Sequence, residues 1–86
     1  MSEVDRNSVK EAIVKILSNR LVIDLDKINE DSGLANELGL DSFGTVEIMF
    51  EIEDKFGIEI PEKDLVEVKT VKDILDYIVR RLKEKN

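Results

Sequence analysis

The chain has no cysteine and no histidine. Without cysteine there is no disulfide framework, no thiolate zinc site and no cysteine nucleophile, a pattern that fits a reducing cytoplasm. Without histidine the usual general base and the commonest transition-metal ligand are missing too, so a Ser-His-Asp hydrolase cannot be assembled within the chain. Positive charge is the scarcer sign: 13 Lys and Arg against 20 Asp and Glu leave a formal charge of −7. Such a field repels nucleic acid and anionic membranes and attracts basic protein surfaces. Long apolar runs are absent, and Met1-Ser2-Glu3-Val4-Asp5-Arg6 is charged from its start, without the apolar core of a signal peptide. The expectation is a soluble, cytoplasmic protein that neither binds nucleic acid nor inserts stably into membranes.

What the chain does hold is enough apolar material for one small core. Hydrophobic residues make up 42% of 86 residues, and a second core could not bury enough surface to offset its own ordering entropy. Residues 1–86 are therefore expected to form a single domain with a heavily charged surface.

Val9, Ala12, Ile13, Ile16, Leu17 and Leu21 recur at helical spacing, opposite Lys10, Glu11, Lys15 and Arg20. This predicts a first amphipathic helix. Ser2-x-x-Asp5 and Ser8-x-x-Glu11 both offer a capping box at its start, and Asn19 offers a stop. From about Arg20 to Asp41 no helical period is sustained, which predicts a long ordered loop pinned to the core by Val22, Leu25, Ile28, Leu34 and Leu38, with a short helical turn near Leu34 to Leu38. Its acids do not form an EF-hand: counting from Asp24, the third position is Asp26, but the fifth is Ile28 and the sixth Asn29. A solvated acidic loop is the better reading, and no metal site is expected.

A second helix is predicted from Ser42 to about Phe56, ended by Gly57. Thr45, Ile48, Met49, Ile52 and Phe56 form its core stripe. Phe43, Glu47, Phe50 and Asp54 fall on the opposite side, flanked by Val46, Glu51 and Glu53. Two aromatic residues among carboxylates on an outward face exceed what folding requires and suggest a docking surface. Ile58-Glu59-Ile60 is too short for a strand, and Pro61 opens a short third helix through about Glu67, anchored by Leu65 and Val68. Thr70-Val71-Lys72-Asp73 is a capping box for a last helix whose core face is Val71, Ile74, Leu75, Ile78, Val79 and Leu82. Arg80, Arg81, Lys83 and Lys85 complement the dipole at its C-terminal end.

Ser42 stands at the junction between the loop and the second helix. No histidine activates it, so self-catalysed nucleophilic chemistry is not expected. The local rules make Asp41 or Ser42 an N-cap, and the free N–H groups of the same helix end favour a phosphate on the serine hydroxyl. The wider stretch is more informative. Gly39-Leu40-Asp41-Ser42, Thr45-Val46-Glu47, the acidic helix ending in Phe56, and Ile58-Glu59-Ile60-Pro61 together resemble the acyl carrier protein family over most of the chain.

That resemblance implies an all-α four-helix bundle with a long first loop and a short third helix. It implies a non-catalytic carrier in which a phosphopantetheinyl transferase attaches phosphopantetheine from coenzyme A to Ser42, with Asp41 helping to cap the helix and to engage the transferase. The thiol of the arm would hold acyl groups as thioesters for fatty-acid or related specialised lipid or polyketide biosynthesis. It further implies a monomer that docks acyl-loading and acyl-transfer enzymes with basic patches on Phe43, Glu47, Phe50, Glu51, Glu53 and Asp54, and a long acyl chain lodged between helices near Met49, Ile52, Leu65 and Ile78. Two positions depart from the general pattern: Phe43 replaces the usual leucine, and Gly44 stands where another acid is common. Ser42-Phe43-Gly44-Thr45-Val46 is also similar to the Ser-Met-Gly-Thr-Val stretch of D-alanyl carrier proteins, so an aminoacyl carrier is the alternative cargo class. An unmodified acidic helical adaptor, anchored by Phe43 and Phe50, is the alternative of another kind.

Overall fold

The computed structural model describes residues 5–85. Three α-helices run through them, α1 (Arg6–Leu21), α2 (Ser42–Phe56) and α3 (Val71–Lys85), with 3₁₀ helices at Leu25–Lys27 and Glu62–Glu67. The fold is all-helical, and α1 packs against both α2 and α3. The long loop between α1 and α2 and the short helix before α3 stand where the patterning placed them.

Asp5 caps α1: its Oδ1 accepts from the Asn7 N–H at 3.1 Å and its Oδ2 from the Ser8 hydroxyl at 3.0 Å. Ser8 is thus inside the helix rather than its cap, and Ser2 lies outside the described residues. Asn19 does not end the helix. The chain continues to Leu21 and closes at Val22, whose backbone is left-handed at φ 56. Ser18 secures this turn, its carbonyl accepting from the Ile23 N–H at 3.2 Å and its hydroxyl donating to the Ile23 carbonyl at 2.5 Å. Flanked by two helices, α1 buries a wider stripe than its spacing indicated, with Val14 joining Val9, Ile13 and Leu17. Ala12 and Ile16 are half-buried.

The loop is stitched to the start of α3. The Leu34 N–H donates to the Lys69 carbonyl at 2.9 Å, while the Val71 and Lys72 N–H groups donate to the Ser32 and Glu30 carbonyls at 3.1 and 2.8 Å. Loop carbonyls thereby satisfy first-turn donors that no helical partner could reach. Ile28, Leu34 and Leu40 are buried, and Leu38 is packed at the margin. Val22 and Leu25 do not pin the loop: they are 87% and 52% exposed, because the left-handed residue and the 3₁₀ turn direct them outward. Residues 34–38 form the single turn expected there, with the Glu37 N–H closing on the Gly33 carbonyl four residues back and the Leu38 N–H on the same carbonyl, both at 3.0 Å.

The short third helix is of the 3₁₀ type, with Asp64 N–H donating to the Pro61 carbonyl at 3.0 Å. Leu65 and Val68 pack against the core from it. One anchor within the six residues and one at the C-cap do not support a full α-helical face. The capping box of α3 forms as expected: Asp73 N–H donates to Thr70 Oγ1 at 3.2 Å, and Asp73 Oδ2 accepts from the Thr70 and Lys69 N–H groups at 3.1 and 2.9 Å. Its core face gains Tyr77, which the spacing did not single out. The Tyr77 ring is buried, and its hydroxyl donates to Asp64 at 2.5 Å and accepts from Arg81 at 2.8 Å, tying α3 to the 3₁₀ helix. Burial, reinforced by the Asp64 hydrogen bond, pushes the Tyr77 phenol above its ordinary pKa.

Candidate attachment and docking site

The junction before α2 is held from both sides. Gly39 takes a left-handed φ of 73, which turns the chain inward, and the buried Leu40 donates its N–H to the Leu34 carbonyl at 2.8 Å. Asp41 follows in an extended conformation and is the N-cap, its Oδ1 accepting from the Gly44 N–H at 2.7 Å. Its carbonyl accepts from both the N–H and the hydroxyl of Thr45 at 3.0 Å. Ser42 is therefore the first helical residue, exposed to solvent. The N–H groups of Ser42 and Phe43 have no partner earlier in the helix, so the positive end of α2 lies beside the serine hydroxyl.

Gly44 has a steric role that the sequence did not reveal. A Cβ there would come within 3.1 Å of Leu40 Cδ2 and 3.2 Å of Asp41 Oδ1. Both contacts are tighter than ordinary packing, so a larger residue would press on the buried leucine and on the capping carboxylate together.

Beside Ser42 lies a pocket of about 600 Å³, open to solvent, whose walls include Leu34, Leu40, Val46, Leu65, Val66 and Val68. Ser42, Asp41, Thr45 and Lys69 contribute polar edges. An apolar groove beginning at an exposed helix-initial hydroxyl, with the phosphate-favouring helix end above it, fits a long arm carried through a phosphate. Of the cargo-lining residues inferred from resemblance, only Leu65 lies on this groove. Met49, Ile52 and Ile78 are closed within the core at 1%, 0% and 0% exposure. Val66, 74% exposed on the 3₁₀ helix, is the wall residue the sequence offered least sign of. Its one signal was an apolar residue out of step with the anchors Leu65 and Val68.

Phe43 and Phe50 are exposed by 71% and 59%. The carboxylates of the same face divide into kinds. Glu47 and Glu51 both pair with Arg20 of α1, Glu51 at 2.6 Å. The Glu47 hydrogen bond and the charges of both carboxylates outweigh partial desolvation and hold the Arg20 guanidinium above its ordinary pKa. Glu53 accepts from the Ile60 N–H at 2.5 Å, fastening residues 58–60 to the helix. Asp54 is exposed and makes no ion pair among the described residues.

These features describe an all-helical fold with an exposed serine at a helix start. Residues 11–78 match the family model described as "Phosphopantetheine attachment site". The chain is 37% identical over 78 residues to an acyl carrier protein of Rickettsia bellii (strain RML369-C), covering 91% of this chain and 88% of the relative. It is 36% identical over 77 residues to an acyl carrier protein of Chloroherpeton thalassium, covering 90% and 96%. To an acyl carrier protein of Chlorobium phaeobacteroides it is 34% identical over 73 residues, covering 85% and 94%. The chain belongs to the phosphopantetheine-binding acyl carrier protein family. It is accordingly a carrier and not a catalyst, and its prosthetic group is phosphopantetheine.

Proposed function

We propose that Ser42 is the attachment residue and that the chain carries acyl groups between cytoplasmic biosynthetic enzymes as a monomer. The observation that carries this reading is the placement of Ser42: exposed, first in α2, at the positive end of the helix and on the edge of the adjacent groove. When bound, the prosthetic group supplies the thiol that holds cargo as a thioester, a function that a chain without cysteine cannot perform alone.

The residues of the chain divide the remaining work. Asp41 holds the first turn of α2 in place and stands next to the modified hydroxyl, where a phosphopantetheinyl transferase would meet it. Ser42 contributes the oxygen that joins the phosphate; with no histidine in the chain the usual general base is missing, so the transferase is the proposed source of the base that accepts the hydroxyl proton. Phe43 and Phe50 provide apolar contact for visiting enzymes, and Glu47, Glu51, Glu53 and Asp54 provide the negative field. Such a field speeds encounter with basic acyl-loading and acyl-transfer enzymes, while a small contact area permits release after each step. The relatives named as acyl carrier proteins support an acyl rather than an aminoacyl cargo, and fatty-acid or specialised lipid or polyketide synthesis is the pathway class proposed.

Incubating the apo protein with coenzyme A and a phosphopantetheinyl transferase, then recording the intact mass, tests the assignment. One phosphopantetheine is added to the wild type and none to Ser42→Ala. A mass gain that survives the substitution would place the group elsewhere.

A further inference from the structure

Arg20 stands in the last turn of α1 and reaches across to α2. There its two terminal guanidinium nitrogens meet different carboxylates, one bonding Glu47 and the other Glu51 at 2.6 Å. Glu47 and Glu51 are four residues apart, hence stacked on one helix face, and a planar fork is the shape that spans them. The three side chains are 39%, 41% and 44% exposed. The contact is therefore open to water and to an incoming protein. It has the same chemistry that a basic enzyme face would offer those carboxylates, but it is supplied from within the chain.

We propose that Arg20 sets partner selectivity by competing, as an internal guanidinium, with the basic side chains of docking enzymes for Glu47 and Glu51. This rests on the reading of α2 as the docking face. A phosphopantetheinyl transferase whose basic patch engages Glu47 and Glu51 must displace Arg20, whereas an enzyme that relies on Asp54 and the exposed Phe43 and Phe50 need not. Water-exposed ion pairs are weak, so the competition acts as a filter and not a block. Arg20 is the cation suited to this role because its fork is committed to the docking helix. Arg6, by contrast, pairs with Glu30 and Asp76.

The test compares transferase kinetics for the apo wild type, Arg20→Gln, Arg20→Lys and Lys15→Gln, each with coenzyme A across a range of salt. Lys15→Gln makes the same change in net charge on the same helix without touching the fork. Arg20→Gln is expected to raise kcat/KM about twofold to tenfold at low salt through KM, with kcat unchanged, and to steepen the fall with salt. Arg20→Lys, which keeps the charge but not the fork, gives a smaller gain. The gain disappears when Arg20→Gln is combined with Glu47→Gln and Glu51→Gln. An equal gain in Lys15→Gln would reduce the effect to net charge. A gain that persists in the triple variant, or none in either Arg20 variant, would assign Arg20 to holding α1 on α2 and nothing more. Modification at equal rates thus overturns the competition alone; absence of modification in the wild type overturns the carrier reading and this inference with it.

Discussion

Val22 closes α1 in a left-handed conformation that branched side chains rarely adopt, and its side chain is 87% exposed, so almost no packing compensates the strain. Val22→Gly is expected to stabilise the fold by about 1 kcal/mol, read as a higher denaturant midpoint with an unchanged slope. A lower midpoint would show that the valine makes a compensating contact. Legibility at this scale follows the range of the interaction. Asp41 was readable as a cap because its partner, the Gly44 N–H, is three residues away, and Gly57 was readable as a stop for the same reason. Val22 was not, since nothing in a β-branched residue signals a positive φ. The steric role of Gly44 was hidden because it depends on where the Leu40 side chain packs.

Among the elements, the loop between α1 and α2 depends most on distant partners. Its carbonyls cap α3, and Glu30 receives Arg6 at 2.9 Å and Lys10 at 3.5 Å from α1. Arg6 reaches Asp76 of α3 at 2.6 Å as well, so one guanidinium links loop, first helix and last helix. The Arg6 hydrogen bond, with the nearby positive charges, outweighs desolvation and holds the Glu30 carboxyl below its ordinary pKa. A carboxylate with a depressed folded pKa contributes stability that is present above its unfolded value, about 4.3, and is lost as pH falls through the lower folded value. The melting-temperature difference between wild type and Glu30→Gln should therefore be constant near neutrality and collapse in acid below about pH 4. A difference that holds steady through that range would show that the Arg6–Glu30 pair is not formed in solution. The alternation of helical and turn-forming residues made the loop visible, and the scattered Ile28 and Leu34 made its order visible. Its attachment to α3 was not, because backbone carbonyls carry no sequence signal.

For the whole molecule, −7 on 86 residues is a self-repelling charge. Salt also screens the attractive pairs, but those in this structure are water-exposed and individually weak. Net repulsion should dominate: the melting temperature rises as moderate salt or magnesium is added, as thermal scans across ionic strength would show. A flat or falling series would mean that the ion pairs outweigh the net charge. The patterned chain was sufficient for the helix order, the bounds of α2 and most of the core positions, since each depends on residues within a turn or two and on periodic burial. Tertiary packing alone decided the rest. It gave Tyr77 its Asp64 partner, placed Val66 on the groove beside Ser42, engaged Glu53 with the Ile60 backbone, and set Arg20 between Glu47 and Glu51. These contacts join residues from separate elements, some 27 and 31 positions apart, and no local periodicity records which face of one helix meets which side chain of another.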